Sequence, residues 1–291
     1  MKIIVKLSSG IGNQLFMLAF YKHIEGKYGV RPYFDDKYFQ DKDNIRKPEL
    51  AVVMPDYPVC HLPFNPAGEH HLKRKCYEWV WSHMPFVTRI SEDCYDDDTT
   101  YRGRLLYFDG YWQTPRYVED LDRSLFMPVG DMPEVLATER EHIRKAATPV
   151  SLHVRRGDYF TPQYIDRFGV CDEAYYQQAM EAIEAQLGQV TYFVFSDDLP
   201  WVQQHLTFRQ PVHYVANYDV NSYWYIHLMS LCRHHIISNS TFSWWGAYLD
   251  GREGKLVVGP SRWTLDSERT LMLEKWKKVI IPLSSQLSVL S

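Results

Sequence analysis

The richest group of reactive side chains in the 291-residue sequence is His153-Val154-Arg155-Arg156-Gly157-Asp158-Tyr159, directly after the alternating run Val150-Ser151-Leu152. That run reads as a strand of a parallel sheet, and open sheets take ligands beyond the carboxyl ends of their strands. Two adjacent guanidiniums stay charged and present forked N–H donors that match phosphate oxygens in pairs, so Arg155 and Arg156 suit a diphosphate. The plainer use is an ion pair of either arginine with Asp158. Asp158 is also the nearest carboxylate in sequence that could take the proton of an attacking hydroxyl, or it orients the arginines.

Three further stretches have the same strand-then-polar layout. Ser238-Asn239-Ser240-Thr241-Phe242-Ser243-Trp244-Trp245 stacks hydroxyls where a helix begins, a place that attracts phosphate. A helix cap at Ser240 or Thr241 explains the same spacing, and the paired tryptophans suit a core. Phe195-Ser196-Asp197-Asp198 ends in carboxylates that can accept from the N–H and amino group of guanine, or cap the next helix. Gly10-Ile11-Gly12-Asn13-Gln14 allows close backbone approach and offers amides to hydroxyl groups. Leu15 stands where a dinucleotide fingerprint needs its third glycine, which sets a dehydrogenase aside.

Other clusters read as scaffold. The Asp96-Asp97-Asp98 triplet has metal-binding composition, but adjacent carboxylates in a loop are usually solvated. His70-His71-Leu72-Lys73-Arg74-Lys75, with Tyr77, Trp79 and Trp81, has the composition for a peripheral contact with an anionic membrane face or a lipid-linked acceptor, but a solvated helix face over a packed aromatic side is the better reading. His234, His235 and Cys232 do not form a zinc pattern, because neighbours on a strand point to opposite faces.

These residues need elements to hold them. Ile3 to Leu7, the helix-forming stretch Gln14 to Tyr28 and Val30 to Phe34 predict one βαβ unit. Prolines at 48, 55, 58, 63, 66, 85, 115, 128 and 133 break up the stretch that follows. Regular alternation resumes near residue 148. Strands are predicted at 150–154, 191–195, 211–215, 234–238 and 255–258, with helices over 172–187, 221–232 and 242–249 and one starting at 198. The expected class is α/β, with an N-terminal domain over 1–148 and a second βα-repeat domain over 149–291.

Composition removes whole classes. A net charge of −4 provides no basic field for nucleic acid. The longest apolar run, Leu15 to Tyr21, is far below the roughly 20 residues of a bilayer span, and Met1 to Leu7 lacks the apolar centre of a signal peptide. Five scattered cysteines without a C-x-x-C pair predict free thiols and a cytoplasmic setting.

Taken together, GIGNQLF at 10–16, HVRRGDY at 153–159, FSDD at 195–198 and SNSTFSWWGAYL at 238–249 resemble the α-1,2-fucosyltransferases of glycosyltransferase family 11. The resemblance spans about residues 3 to 260. It implies a GT-B-like pair of Rossmann-type domains facing across a cleft, the first on the acceptor side and the second binding GDP-fucose. It also implies no essential metal or cofactor, and inverting transfer of fucose to the 2-hydroxyl of a terminal galactose on an oligosaccharide or glycolipid. Carried over by position, His153 with Asp197 or Asp198 holds guanosine, and Arg155 with Arg156 holds the diphosphate. Ser240, Thr241 and Ser243 add phosphate contacts, and Gly12, Asn13 and Gln14 lie near the sugars. The opening Ser9-Gly10-Ile11-Gly12 departs from the family's usual G-G-L-G, and Met17-Leu18-Ala19 departs from its Q-Y-A continuation. The aromatic content also permits a non-catalytic glycan- or nucleotide-binding protein, although a binder has no need of a double-arginine clamp. Guanine and diphosphate contacts do not read the sugar's C6, so a transferase using another GDP-sugar or linkage shares this pattern.

Overall fold

The structure is a computed structural model that describes residues 1–41, 44–63, 75–77, 79–80, 83–157, 171–265 and 270–281. The chain forms two compact units, Met1–Gly130 and Asp131–Ser291.

The first unit is built on a four-stranded sheet of β1 (Lys2–Lys6), β2 (Tyr33–Asp35), β3 (Val87–Ser91) and β4 (Leu105–Asp109), in the order β2-β1-β4-β3 with every pair parallel. Central β1 buries Ile3, Ile4 and Val5 completely, as a parallel strand covered on both faces must. Helix α1 (Ile11–Tyr28) is apolar around most of its circumference, from Leu15 through Tyr21, because it too lies within the core. It stops at Gly29, whose φ of 62° is the left-handed C-cap that glycine adopts without strain. The proline-broken stretch contains short 3-10 turns, such as Pro115–Tyr117 and Arg123–Phe126, but also β3 and β4, which its irregular pattern conceals.

The second unit has six parallel strands: β5 (Pro149–Val154), β6 (Thr191–Ser196), β7 (Val212–Tyr214), β8 (His234–Ile236), β9 (Leu256–Pro260) and β10 (Lys277–Ile281). Their order is β10-β9-β8-β5-β6-β7. Counted from β5, this is the 3-2-1-4-5-6 arrangement of doubly wound sheets, and the winding reverses between β5 and β8. Five helices accompany the sheet among the described residues: α2 (Ala137–Lys145), α3 (Glu173–Leu187), α4 (Leu199–His205), α5 (Tyr223–Leu231) and α6 (Thr241–Leu249). The strands and helices expected beyond residue 148 all appear within a few residues of their predicted places, and β10 is additional. The division falls at Gly130 rather than at 148 because α2 packs on α5 and so belongs with the second sheet. Helices α5 and α6 approach closely at Gly246, where an added Cβ would lie 2.7 Å from the Met229 Cβ. Trp244 and Trp245 are core residues, with the Trp244 indole donating to the Leu271 carbonyl at 2.7 Å. No helix among the described residues is long and apolar enough to cross a membrane.

A buried polar chain joins β5 to β8 and the end of α6. Ser151 Oγ and His235 Nδ1 share a hydrogen bond of 2.8 Å, and His235 Nε2 meets Asp250 Oδ2 at 3.1 Å. Asp250 also accepts from Arg252 Nε at 2.6 Å. Burial pushes the His235 pKa down. Burial, helped by His235, lowers His234 to about 4. Burial alone would raise Asp250, but hydrogen bonds from His235 and Arg252 outweigh it and hold the carboxyl at about 2. Histidines whose folded pKa lies below 6.5 bind fewer protons folded than unfolded, so their contribution is complete above pH 6.5 and lost as pH falls toward 4. The expected result is a urea unfolding midpoint that declines steadily on acidification through this window. A midpoint that stays level from pH 7 to 4 contradicts the assignment.

Candidate functional site

The polar residues meet where the second sheet reverses its winding. In the β5–β6 register His153 stands beside Phe195 and Val154 beside Ser196, so the next residues on each strand, Arg155 and Asp197, come level as the strands end. Arg155 Nη1 lies 2.9 Å from Asp197 Oδ2, and the Arg156 main-chain N–H donates to Asp197 Oδ1 at 2.9 Å. Arg156 Nε donates to Asp198 Oδ2 at 3.3 Å, while its guanidinium lies 3.8 Å from the centre of the Trp201 ring. Asp198 also caps α4, accepting from the Trp201 N–H at 3.1 Å.

The two arginines are therefore held differently. Arg156 is fixed by its stem nitrogen and by the face of its guanidinium, an arrangement that sets position more than it offers donors. Arg155 is braced through Nη1, with about a fifth of its side chain exposed. Gly157 makes the pairing sterically feasible, since a Cβ there would come within 2.5 Å of Asp197 Oδ2. Asp158, the expected proton acceptor, lies outside the described residues, as do His70, His71, Lys73, Arg74 and Trp81.

His153 is buried and joins β5 to the loop after β8. Its Nδ1 shares a hydrogen bond of 2.9 Å with Ser238 Oγ, its ring leans on Phe242, and its carbonyl accepts from the Tyr176 hydroxyl at 3.2 Å. Burial, reinforced by the Arg155 charge, lowers its pKa to about 3 and keeps the ring neutral near pH 7. Ser240 is the N-cap of α6 and accepts from the Phe242 N–H at 3.4 Å. Thr241, the first residue of that helix, is partly exposed. Ser243 points inward and donates to the Ser240 carbonyl at 3.2 Å, so it braces the turn.

A second polar group lies in the first unit, at the carboxyl ends of adjacent β1 and β4. Among the described residues only Ser9 and Trp112 are non-glycines with positive φ, at 65° and 55°. Both lie in this place, and such strain often accompanies ligand sites. Trp112 is held there by Phe20, stacked at 3.6 Å with the planes 1° apart. The two loops are tied together: Asn13 Nδ2 donates to Ser9 Oγ, and Gln113 Nε2 donates to Asn13 Oδ1, each at 2.8 Å. Gly12 is buried in the first turn of α1. Gln14 is fully buried; its Nε2 donates to the Ser9 and Lys47 carbonyls and its Oε1 accepts from the Glu49 N–H, all at 2.9 Å. Gln14 therefore ties loops together instead of presenting its amide outward. Tyr111, about half exposed, is positioned by its N–H donating to Glu92 Oε2 at 2.7 Å. The stretch Gly110-Tyr111-Trp112-Gln113 was not singled out in the sequence; its glycine and aromatics at the end of an apolar run are the available signal.

In the Asp96-Asp97-Asp98 triplet, the first two carboxylates are engaged within the protein. Asp97 pairs with Arg116, with His23 at 2.7 Å, and accepts from the Tyr95 hydroxyl at 2.8 Å. Asp96 accepts from Thr99 Oγ1 at 2.6 Å.

Comparison with known proteins places this geometry in context. The model of the family described as glycosyl transferase family 11 matches residues 89–279. The O-antigen biosynthesis glycosyltransferase WbnK of Escherichia coli is 30% identical over 300 residues, covering 93% of this chain and 98% of that one. An α-1,2-colitosyltransferase of Escherichia coli is 30% identical over 59% of this chain and 62% of its own length. A bovine galactoside 2-α-L-fucosyltransferase, SEC1, is 29% identical over 47% of this chain and 38% of its own length. Among solved structures, the NodZ α-1,6-fucosyltransferase soaked with GDP-fucose, an enzyme known from Bradyrhizobium, superposes with a TM-score of 0.52. It is 12% identical over 85% of this chain and 92% of that one, a likeness of fold.

Gly157→Ala tests the arginine brace. The added methyl displaces the Asp197 carboxylate from both arginines while circular dichroism stays unchanged. Loss of a charge-assisted hydrogen bond, about 1.5–3 kcal/mol, lowers GDP affinity by roughly ten- to a hundredfold in calorimetry. Unchanged affinity means that the pairing does not support a nucleotide site.

Proposed function

The chain belongs to glycosyl transferase family 11, and on that premise we propose that it transfers L-fucose from GDP-fucose to the 2-hydroxyl of a terminal galactose, with inversion and without a metal. The observation that carries this reading is the pair Arg155 and Arg156, braced by Asp197 and Asp198 beside the N-terminus of α6 at the reversal point of a doubly wound sheet. That place favours a nucleotide diphosphate, and helix N–H groups add to its attraction for anions. The α-1,2 linkage and the galactoside acceptor rest on the family resemblance and on what the colitosyl and bovine relatives are named for.

In the proposed reaction the acceptor's O2 forms a bond to the anomeric carbon as the bond from that carbon to the diphosphate oxygen breaks on the opposite face. GDP departs with the electron pair. Negative charge grows on its terminal phosphate, where Arg155 and the first N–H groups of α6, with Thr241, stabilise it. The guanidiniums supply the positive charge that a divalent cation would otherwise bring. Arg156 positions, through its stacking on Trp201 and its bond to Asp198. His153, neutral and fixed in orientation by Ser238, offers the guanosine a hydrogen-bonding edge. Ser243 and Gln14 act through the main chain they hold. The proton released by the acceptor hydroxyl is assigned to Asp158, on the ground that it is the carboxylate nearest in sequence to the arginines.

The acceptor sugar is assigned to the first unit, at the ends of β1 and β4, with Asn13 and Gln113 facing its hydroxyls and Tyr111 its apolar ring face. We place the reaction in the cytoplasm, with acceptors that are free or lipid-linked. The colitosyltransferase relative supports a second reading, transfer of a sugar other than fucose.

Incubation with GDP-fucose and lactose, with and without EDTA, followed by NMR of the product, tests the proposal. Fucose on O2 of galactose, formed equally in EDTA, supports it; saturable binding without turnover, or transfer from another GDP-sugar alone, overturns it. Arg155→Ala is expected to retain the fold and lose roughly 10²–10³ in kcat, and wild-type turnover refutes its role. Tyr111→Ala is expected to raise KM for the acceptor about tenfold or more with the KM for GDP-fucose unchanged, the loss of one sugar-stacking contact.

A further inference from the structure

We propose that Glu139, His142 and His213 form a binding site for a divalent transition metal of the zinc class, apart from the nucleotide site and independent of the transferase reading. Glu139 and His142 are three residues apart on α2 and so share a face of the helix. His213 projects from β7, the edge strand of the second sheet. One ligand atom from each lies within 4.8 Å of the others. The His142 and His213 rings meet edge to face with centroids 4.6 Å apart.

The donor set selects the ion. Two imidazoles and one carboxylate are the ligands of zinc-like cations, whereas calcium and magnesium need shells of oxygen. The Glu139 carboxylate is 5% exposed, an expensive place for an anion unless a cation or strong donors attend it. Its Oε2 lies 2.5 Å from His213 Nε2, and its Oε1 accepts from the Ala216 N–H at 3.4 Å. Ligand atoms on a tetrahedral zinc stand about 3.3 Å apart. Binding therefore requires the partly exposed His213 ring to move back from Glu139 by under about 1 Å, the widest pair of ligand atoms to close by up to about 1.5 Å, and His213 to bind through an Nε2 without its proton, which passes to solvent or to Nδ1. His142 is exposed and marks the entry side, leaving the fourth position to water.

The site would clamp α2 to the sheet edge, and its influence has a route inward. Glu139 holds Ala216; the next residue, Asn217, donates from Nδ2 to the Ser196 carbonyl at 3.2 Å, and Ser196 precedes Asp197. A bound ion stiffens the loop behind the acids that brace the arginines.

The test uses the full chain, stripped with a chelator and then given Zn²⁺, Co²⁺ or Mg²⁺ alone. Zn²⁺ is expected to raise Tm by several degrees at an excess over the protein, and Co²⁺ to develop the visible absorption of a four-coordinate nitrogen–oxygen site. His142→Ala changes an exposed residue, so it is expected to unfold at the metal-free Tm and lose both responses; His213→Ala also removes a partner of the buried Glu139, so it is expected to start from a lower Tm and to lose both responses. No Zn²⁺ response in the wild type, an undiminished response in His142→Ala, or an equal rise with Mg²⁺ overturns the proposal.

Discussion

The central constraint of the second unit is charge pairing across two strand ends. Parallel register brings Arg155 level with Asp197, and a residue without a side chain at 157 leaves room for the carboxylate between both arginines. Two adjacent cations at a strand end repel each other, and without counter-charges their forks would be mobile. The acids hold them in advance of any ligand, so less ordering remains to be done when a phosphate arrives. Asp198 extends the brace to α4 by capping it, which makes helix position and guanidinium position one variable.

The same economy of design runs through the buried histidines. His153 joins β5 to the β8–α6 loop, and His235 joins β5 to the residue that ends α6. Burial lowers the pKa of both rings, and the Arg155 charge lowers that of His153 further. A neutral imidazole donates at one nitrogen and accepts at the other, so it can link a hydroxyl to a second partner without adding to the positive field. His153 thus adds rigidity through an uncharged hydrogen bond, whereas His235 is tied to the buried, ionised Asp250.

Much of the second unit was legible in the sequence. Its strands are short apolar or alternating runs that end in dense polar clusters, and its helices begin at recognisable caps such as Asp172 and Asp198. What local pattern does not carry is pairing at a distance. The described carboxylate partners of Arg155 and Arg156 lie some forty residues along the chain, while sequence proximity pointed to Asp158. Gln14 looked like an outward amide in a glycine-rich turn, yet its partners at 47 and 49 come from a segment with no periodic signal. Strands β3 and β4 were hidden among prolines and 3-10 turns. Trp112 adopts a backbone conformation more often marked by glycine or asparagine, so its turn had no compositional flag.

The amide of Gln14 has a further meaning for how this chain can diversify. It donates twice to carbonyls and accepts once from an N–H while wholly enclosed. Glutamate has the same outline but would set an oxygen against two carbonyl oxygens, and asparagine is one methylene too short to span the three anchors. Position 14 is thus frozen by the bookkeeping of donors and acceptors alone, and drift in the neighbouring loops must proceed around it.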